Sequence, residues 1–443
     1  MIRIRRNIFT HDYEVIGING DTENTEVNDN TEVSESIDFE PISEDKITKF
    51  INNYYSYINK EYYDITTKQS LDIKIKAGKI PNGIQKIFTK HQFYEKMYET
   101  RDLTLYKTVL KPYLRSFKKE LAKYLKKHYN ISPPKYSPIP YVSQAWLKMY
   151  EMLYIFNLFD KDEETIKTFH GCEIPGNFIL ATEYFIKNKT NVQNWEWIAQ
   201  GYKPNIHLGT NPRYGTETYS LTDDYGILEN NPDKWDFGEG NGDITDLSNI
   251  EYYRKKYLDM DLITFDCGSS WSDKRMVVKP NFAQMIFILR VLKEGGTGLF
   301  KMKIPLLKEP IILSMLIFMS TKFKRVYFYK PNQNTWSTEF YVICKNYRNR
   351  LTEDEYSKLS ELMDDFDSTK EVIDMKNLDV DIINTFLYGL NKIVEQHIYD
   401  MKRSFYYIDY FNENDDEELL KDMMRKNRKK LNLWAEEFGL EEI

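Results

Sequence analysis

Cysteine is scarce in this chain: three occur among 443 residues, at Cys172, Cys267 and Cys344. Their spacing forms no metal-ligand pair, no metal site is expected, and a disulfide framework is not credible, so a reducing compartment is the default. Long apolar runs are missing too. The most apolar stretch, IILSMLIFM at 311–319, is too short to cross a bilayer and follows Pro310. The opening MIRIRRNIF is basic but lacks an apolar segment, so it does not read as a secretory signal. A soluble, intracellular protein with no membrane partner is the expectation. No turn carries the full G-x-G-x-x-G spacing, which disfavours a bound dinucleotide. An excess of positive charge is also absent. The net charge is −7, a weak argument against nucleic-acid binding.

That average hides an asymmetry. Residues 21–45 hold ten acidic residues and no basic ones, while the rest of the chain is slightly basic. With so few apolar residues the acidic stretch is expected to be disordered. Tyrosine is abundant, at 34 residues. This fits either base stacking or the codon bias of an AT-rich genome. Residues 46–130 read as mainly helical. Within them KTVLKPYLRSFKKELAKYLKKH (107–128) is a basic amphipathic pattern, either a solvated helix face or a phosphate-binding surface. The proline-rich SPPKYSPIPY at 132–141 marks a boundary.

Strands and helices alternate from 142 to 350. A helix begins at Ser143; KTFHGCE is a strand ending in a Pro-Gly turn; GNFILATEYFIKN is a helix; NWEWIAQGY contains a second strand. After a polar loop at 203–245 come the strand LITFD, a helix, the strand GGTGLFKMKIPL, a helix over 311–322, and the strands KRVYFYKP and EFYVICKNY. This βαβ series predicts a mostly parallel, doubly wound α/β sheet. Its last strand should run antiparallel, because no crossover helix fits before it. Residues 352–443 read as a charged, helical cap. The expected segments are therefore 1–45 acidic, 46–135 helical and basic, 136–350 the α/β domain, and 351–443 helical.

Ligands of such sheets bind beyond the carboxyl ends of the strands. Four features point there. CEIPGNF (172–178) offers Gly176 for close backbone approach and a helix N-terminus behind it. Asp266 ends LITFD, where it serves either the crevice or a helix N-cap. Asp243 lies in NGDITD, which also reads as a plain turn. The strand GGTGLFKMKIPL carries Lys301 and Lys303 on one face, and burying an ammonium group is expensive unless something uses it.

Taken in order, these segments resemble the FtsJ-like ribose 2′-O-methyltransferases. SQAWLKMYE (143–151) is similar to the family's S-R-A-x-x-K-L-x-E, CEIPGNF to its A-P-G-G-W/F cofactor loop, and GDIT to its adenine-binding segment. TFDCG supplies the aspartate of S-D-x-x-P, GGTGLFKMKI matches G-G-x-x-x-x-K, and YKPNQNTWSTEFYVICK matches K-P-x-x-S-R-x-x-S-x-E-x-Y-x-V. The likeness spans about 140–348 and is closest to the FtsJ-like proteins of large cytoplasmic DNA viruses, the African swine fever virus type. The sequence departs from the pattern at FHG in the cofactor strand, at Asn177, and at Asn334-Thr335, where the family has an arginine.

The resemblance implies a Rossmann-like S-adenosyl-L-methionine-dependent fold with helical additions at both ends. It implies a catalytic tetrad of Lys148, Asp266, Lys301 and Glu339. It places the cofactor against Cys172, Glu173, Pro175, Gly176, Asn177, Phe178, Asp243 and Asp266. The implied partner is RNA, the first transcribed nucleotide at the 5′ end of capped mRNA, with ribosomal or transfer RNA, or a non-catalytic RNA-binding role, as the alternatives. Other capping or transcription proteins are further implied partners, in the cytoplasm or a virion. The implied chemistry needs a base for a ribose hydroxyl, and a neutral lysine within hydrogen-bond reach can serve. Spacing after the double glycine selects Lys301. Lys303 either meets RNA phosphate or reaches solvent.

Overall fold

The computed structural model describes residues 3–4, 15–16, 43–56, 58–99, 143–202, 206–207, 221–223, 226–268, 274–332 and 337–440. The basic segment 107–128 and residues 21–42 of the acidic stretch lie outside the described residues. The chain divides into Met1–Pro41 and Ile42–Ile443. In the first unit Arg3–Ile4 pairs antiparallel with Val15–Ile16.

The second unit is built on seven strands. They are β1 (Tyr62–Asp64), β2 (Thr165–Gly171), β3 (Asn194–Ala199), β4 (Met260–Phe265), β5 (Leu292–Lys303), β6 (Phe323–Tyr329) and β7 (Glu339–Tyr347), in the spatial order β1-β6-β7-β5-β4-β2-β3. The neighbours β5, β4, β2 and β3 pair in parallel, and β7 runs antiparallel between β5 and β6. This is the Rossmann-like arrangement the alternating pattern predicts, and the antiparallel strand is the one entered without a crossover helix. β1 pairs antiparallel with the outer edge of β6. It comes from the part of the chain read as mainly helical, where Lys76–Ala77 is also extended.

Helices cover both faces. On one lie α3 (Gln144–Phe156) and α4 (Asn177–Lys189); on the other lie α6 (Lys274–Val291) and α7 (Pro310–Ser320). α7 is the apolar run seen in the sequence, and residues Ile311 to Ser320 are all buried, so it is a core helix. No described helix is long and apolar enough to cross a membrane. The flanking parts supply α1 (Glu44–Ser56) and α2 (Asn82–Glu99) before the sheet, α5 (Leu247–Lys256) within it, and α8 (Glu353–Asp364), α9 (Val380–Glu413) and α10 (Glu417–Glu437) after it. α1 starts at Glu44, inside the stretch expected to be disordered. The C-terminal helices are not set apart from the sheet: Phe386 of α9 packs edge-on against Phe328 of β6, and Trp434 of α10 is buried beside Tyr150 of α3.

Strand alternation decides which side chains meet. Along β5, Phe300 and Met302 enter the core under α6 and α7, while Leu299 enters the core under α3 and α4. Lys301 and Lys303 share the face of Leu299 by the two-residue period. On β7 the same face carries Ile343, Tyr341 and Glu339, in register with Leu299, Lys301 and Lys303. Gly298 gives α6 its seat, because a Cβ there would lie 2.6 Å from Cγ2 of Ile288. Gly298→Ala should therefore destabilise the fold by about 1–3 kcal/mol. Adding Ile288→Ala should cost less than the sum of the two single losses, because the methyl group fills the space vacated. Denaturant melts of the four proteins check this, and an unchanged midpoint for Gly298→Ala would contradict the packing described.

Candidate active site

The carboxyl ends of β2, β4 and β5, with the start of β7, bring four charged side chains together. Lys148 projects from α3, whose N-cap Ser143 accepts from the backbone of Trp146 and also bonds the Asn177 side chain at the start of α4. Lys148 Nζ lies 3.0 Å from Oε2 of Glu339. Lys301 Nζ lies 3.1 Å from Oδ1 of Asp266 and donates to the Asp266 carbonyl at 3.0 Å. Both lysine side chains are over nine-tenths buried, and both carboxylates are about one-fifth exposed. Tyr341 links the pairs. Its hydroxyl donates to Asp266 Oδ1 at 2.8 Å, and its ring lies 5.8 Å from the Lys148 ammonium.

The electrostatics follow from this packing. Burial works to raise the Glu339 pKa, but Lys148, Lys301 and Lys303 outweigh it and hold it at about 2. Burial, then Asp266 and Glu339, pushes the Tyr341 phenol far up, so it stays a donor. Lys303 is half-buried, and burial followed by repulsion from Lys301 lowers its pKa. Cys267 and Gly268, which follow Asp266, are not helical, so Asp266 does not cap a helix.

Beside this group the segment 172–178 turns sharply, with Cys172 at φ 56° and Gly176 at φ 100°. A side chain at Gly176 would be strained by that φ and would meet Ile227 Cδ1 at 2.5 Å. Glu173 turns inward: its Oε1 accepts from the backbone of Phe178 and Ile179 at 2.7 and 3.3 Å. The α4 N-terminus is thus capped by the chain's own carboxyl group, whose pKa burial pushes well up, with Asp266 adding to the rise. Phe178 is buried, 6.2 Å from the Tyr341 ring; Pro175 and Asn177 are partly exposed. Asp243 lies in a turn as read, with Oδ1 accepting from the backbone and hydroxyl of Thr245, both at 2.8 Å.

The expectation of unpaired thiols is corrected. Cys172 and Cys267 form a disulfide with Cα atoms 4.9 Å apart, across 95 residues. The fold brings the residue after β2 beside the residue after Asp266, a proximity that spacing does not reveal. His170, the central residue of the divergent FHG, is a structural core residue. It is hydrogen-bonded to Thr168 and Thr264 at 2.9 and 2.8 Å, and burial lowers its pKa to about 3. Asn334 and Thr335 lie outside the described residues.

Three residues at this edge escaped the sequence reading. Gln200 follows β3, accepts from the Cys172 backbone at 3.1 Å, and donates to the Gly242 carbonyl, tying the segment 172–178 to the Asp243 turn. A polar residue closing an apolar strand was the signal, as for Asp266. Lys330 is 1% exposed and donates to the carbonyls of Ser337 and Glu339 at 2.5 and 3.1 Å. Burial lowers its pKa to about 8. Tyr341 is the third, signalled by the tyrosine of the E-x-Y pattern and placed by its register with Lys301. No group of three or more metal-ligating side chains is assembled among the described residues.

Residues 141–347 match the model of the FtsJ-like methyltransferases. That segment is an FtsJ-like methyltransferase domain. The chain is 30% identical over 338 residues to an uncharacterized protein of Acanthamoeba polyphaga mimivirus, covering 73% of this chain and 38% of that protein. It is 28% identical over 247 residues to a probable methyltransferase of African swine fever virus, covering 52% and 54%. It is 32% identical over 219 residues to cap-specific mRNA (nucleoside-2′-O-)-methyltransferase 2 of Danio rerio, covering 46% and 28%. The match therefore spans about half or less of the length of these relatives.

The Lys148–Glu339 pair makes a pH-dependent contribution with a definite sign. A carboxylate whose pKa is lowered on folding stabilises fully above its unfolded value, and that stability is lost as pH falls through about 2. Glu339→Gln should thus be destabilising at neutral pH, leaving Lys148 buried without its partner. The deficit against the native protein should shrink as pH falls from about 5 towards 2. Thermal melts across that range measure it; a deficit that stayed constant would remove the pairing.

Proposed function

We propose that this chain is an S-adenosyl-L-methionine-dependent RNA ribose 2′-O-methyltransferase, acting on the first transcribed nucleotide of capped mRNA in the cytoplasm. The observation that carries this reading is the set of two lysine–carboxylate pairs, Lys148–Glu339 and Lys301–Asp266, at the carboxyl edge of a parallel sheet in an FtsJ-like domain. The preference for capped mRNA is supported by the name of the Danio rerio relative.

The residues present fit the cofactor. Asp266 lies close enough to raise the cost of ionising Glu173, which suits a cationic group beside them. Phe178 and Tyr341 add aromatic surface beside them. When bound, S-adenosyl-L-methionine supplies a methyl group on a sulfonium, a leaving group that needs no activation. Cys172, Glu173, Pro175, Gly176, Asn177 and Phe178 would hold it, with Asp243 on the adenine side and Asp266 towards the methyl group.

The chain's own work is on the ribose. Lys301, in its neutral form, takes the proton of the 2′-hydroxyl as the oxygen gains its methyl group. Asp266 holds the Lys301 amine in place through both its carboxylate and its carbonyl. Lys148 stands opposite, held by Glu339, and its positive charge disfavours a second charge on Lys301. Lys303 lies one residue pair nearer the strand end, where a phosphate of the RNA meets it.

Two experiments test this. Lys301→Met should keep the fold and cofactor binding but lower turnover about a hundredfold to ten-thousandfold, and Lys301→Arg should fail similarly because guanidinium does not deprotonate. The assay is radiolabel transfer to capped and uncapped RNA. Near-native turnover of Lys301→Arg would show that Lys301 is not the base. Equal labelling of uncapped RNA would remove the cap, and no labelling would leave an RNA-binding subunit. Separately, Gly176→Val should weaken S-adenosyl-L-methionine binding in calorimetry. Unchanged affinity in a folded variant would displace the cofactor from this loop.

A further inference from the structure

Glu151 is fully buried on α3, one helical turn beyond Lys148. Four donors converge on its carboxyl group. Trp434 Nε1 reaches Oε1 at 2.6 Å; the Tyr329 hydroxyl and the Asn332 backbone each reach Oε2 at 3.0 Å, with the Asn332 side chain at 3.4 Å. These come from α10, from the end of β6 and from the segment just after it. Trp434 and Asn332 present N–H donors, so the carboxylate satisfies all four contacts at once; on protonation the carboxyl hydrogen has only the Tyr329 hydroxyl oxygen to go to, and Tyr329 then gives up its own donation to Glu151.

The connections close on themselves. Tyr329 and Asn332 flank Lys330, which holds the Glu339 carbonyl, and Glu339 pairs with Lys148 on the same helix as Glu151. One face of α3 is therefore fastened at two points to the β6–β7 connection, at its exit through Glu151 and at its return through Lys148. Asn332 also exchanges hydrogen bonds with Asn59, accepting from its backbone at 2.6 Å and donating to its carbonyl at 2.8 Å. Trp434 and Asn59 lie outside the matched segment 141–347.

We propose that Glu151 is a positioning residue whose carboxylate holds the β6–β7 connection against α3, so that Trp434 of the C-terminal helix sets the placement of Lys148 and Glu339 for catalysis. The proposal rests on the methyltransferase reading above. Burial pushes the Glu151 pKa up to about 7, against the downward pull of Trp434, Asn332 and Tyr329. The clamp accordingly loosens as pH falls through neutrality. The groups that face Glu151 are the Trp434 indole, the Tyr329 phenol and the Asn332 amide; Lys330 on the adjoining segment has a pKa of about 8 and is common to the native protein and the variants. Lys148 and Lys330 on the adjoining segments are engaged by Glu339 and by backbone carbonyls.

Trp434→Phe tests this, because it keeps a packed ring and removes one donor to the carboxylate. Loss of that donor should raise the Glu151 pKa by about one unit. The first readout is stability against pH and does not depend on activity. The deficit of Trp434→Phe should be small at pH 5 and should grow as pH rises through 7 to 9. Melting curves that stay parallel to the native protein over that range would overturn the clamp, whether or not the chain methylates RNA. The second readout is the ratio of Trp434→Phe to native turnover on capped RNA, in which any titration of Lys301 cancels. It should be about tenfold below one at pH 6 and approach one by pH 9, with the KM for S-adenosyl-L-methionine unchanged. A pH-independent ratio beside a shifted stability curve would leave the clamp structural and overturn its positioning role. Tyr329→Phe, which removes a second donor to the same carboxylate, should reproduce both shifts; if it does not, Glu151 is not the group responsible.

Discussion

Two ammonium groups buried side by side at the edge of an apolar sheet are the constraint around which this molecule is arranged. An uncompensated charge in such a place is expensive enough to unfold a domain of ordinary stability. Each lysine therefore has a carboxylate within about 3 Å, and each pair is drawn from two different elements. Lys148 comes from a helix and Glu339 from a strand; Lys301 and Asp266 come from neighbouring parallel strands. The pairing is satisfied only when α3, β4, β5 and β7 are all in register. The fold and the electrostatics thus enforce one another. A strand slip by one residue would turn Lys301 into the core under α6 and α7 and expose Phe300 in its place.

The same constraint explains the capping choices nearby. A free helix N-terminus at α4 would attract an anion and repel a cationic ligand. Glu173 folds back onto the amides of Phe178 and Ile179 and occupies those donors, so they are not left open beside Asp266. Gln200 then fastens the loop to the Asp243 turn, and the bond between Cys172 and Cys267 fastens it to the segment after Asp266. The loop is held by three neighbours, so its left-handed residues are supported rather than strained in isolation.

Much of this was legible from local pattern. The alternation of apolar runs and turns marked β2 to β7 because the inner strands β2, β4, β5 and β7 are largely buried. Asp266 stood out because a charge ends an apolar strand, and Lys301 because a charge interrupts one. What local pattern could not carry was proximity between distant segments. Tyr62–Asp64 reads as part of a helical region, since three residues have no period to display; only pairing with β6 makes them a strand. Cys172 and Cys267 are far apart in sequence and adjacent only once β2 and β4 pair. Glu173 sits in a loop that reads as ligand-binding, yet its carboxyl group serves the helix behind it. The orientation of a short side chain in a tight turn depends on backbone angles that composition does not encode.

The additions on either side of the FtsJ-like domain gain their meaning from what the sheet leaves uncovered. β6 stands at an edge, and an unpaired edge invites association with other strands. β1 occupies that edge, and α9 lies over it with Gly389 opposite Ile65, where a Cβ would come within 2.5 Å. On the opposite face, α3 and α4 leave room beside Tyr150 that Trp434 and Phe438 fill. A tryptophan buried there must place its indole N–H on an acceptor. The acceptor available is Glu151, one turn from a lysine of the charged group. Closing an apolar gap with that side chain therefore brings with it a hydrogen bond into the polar network. Packing of the C-terminal helix and order at the charged group become one and the same requirement.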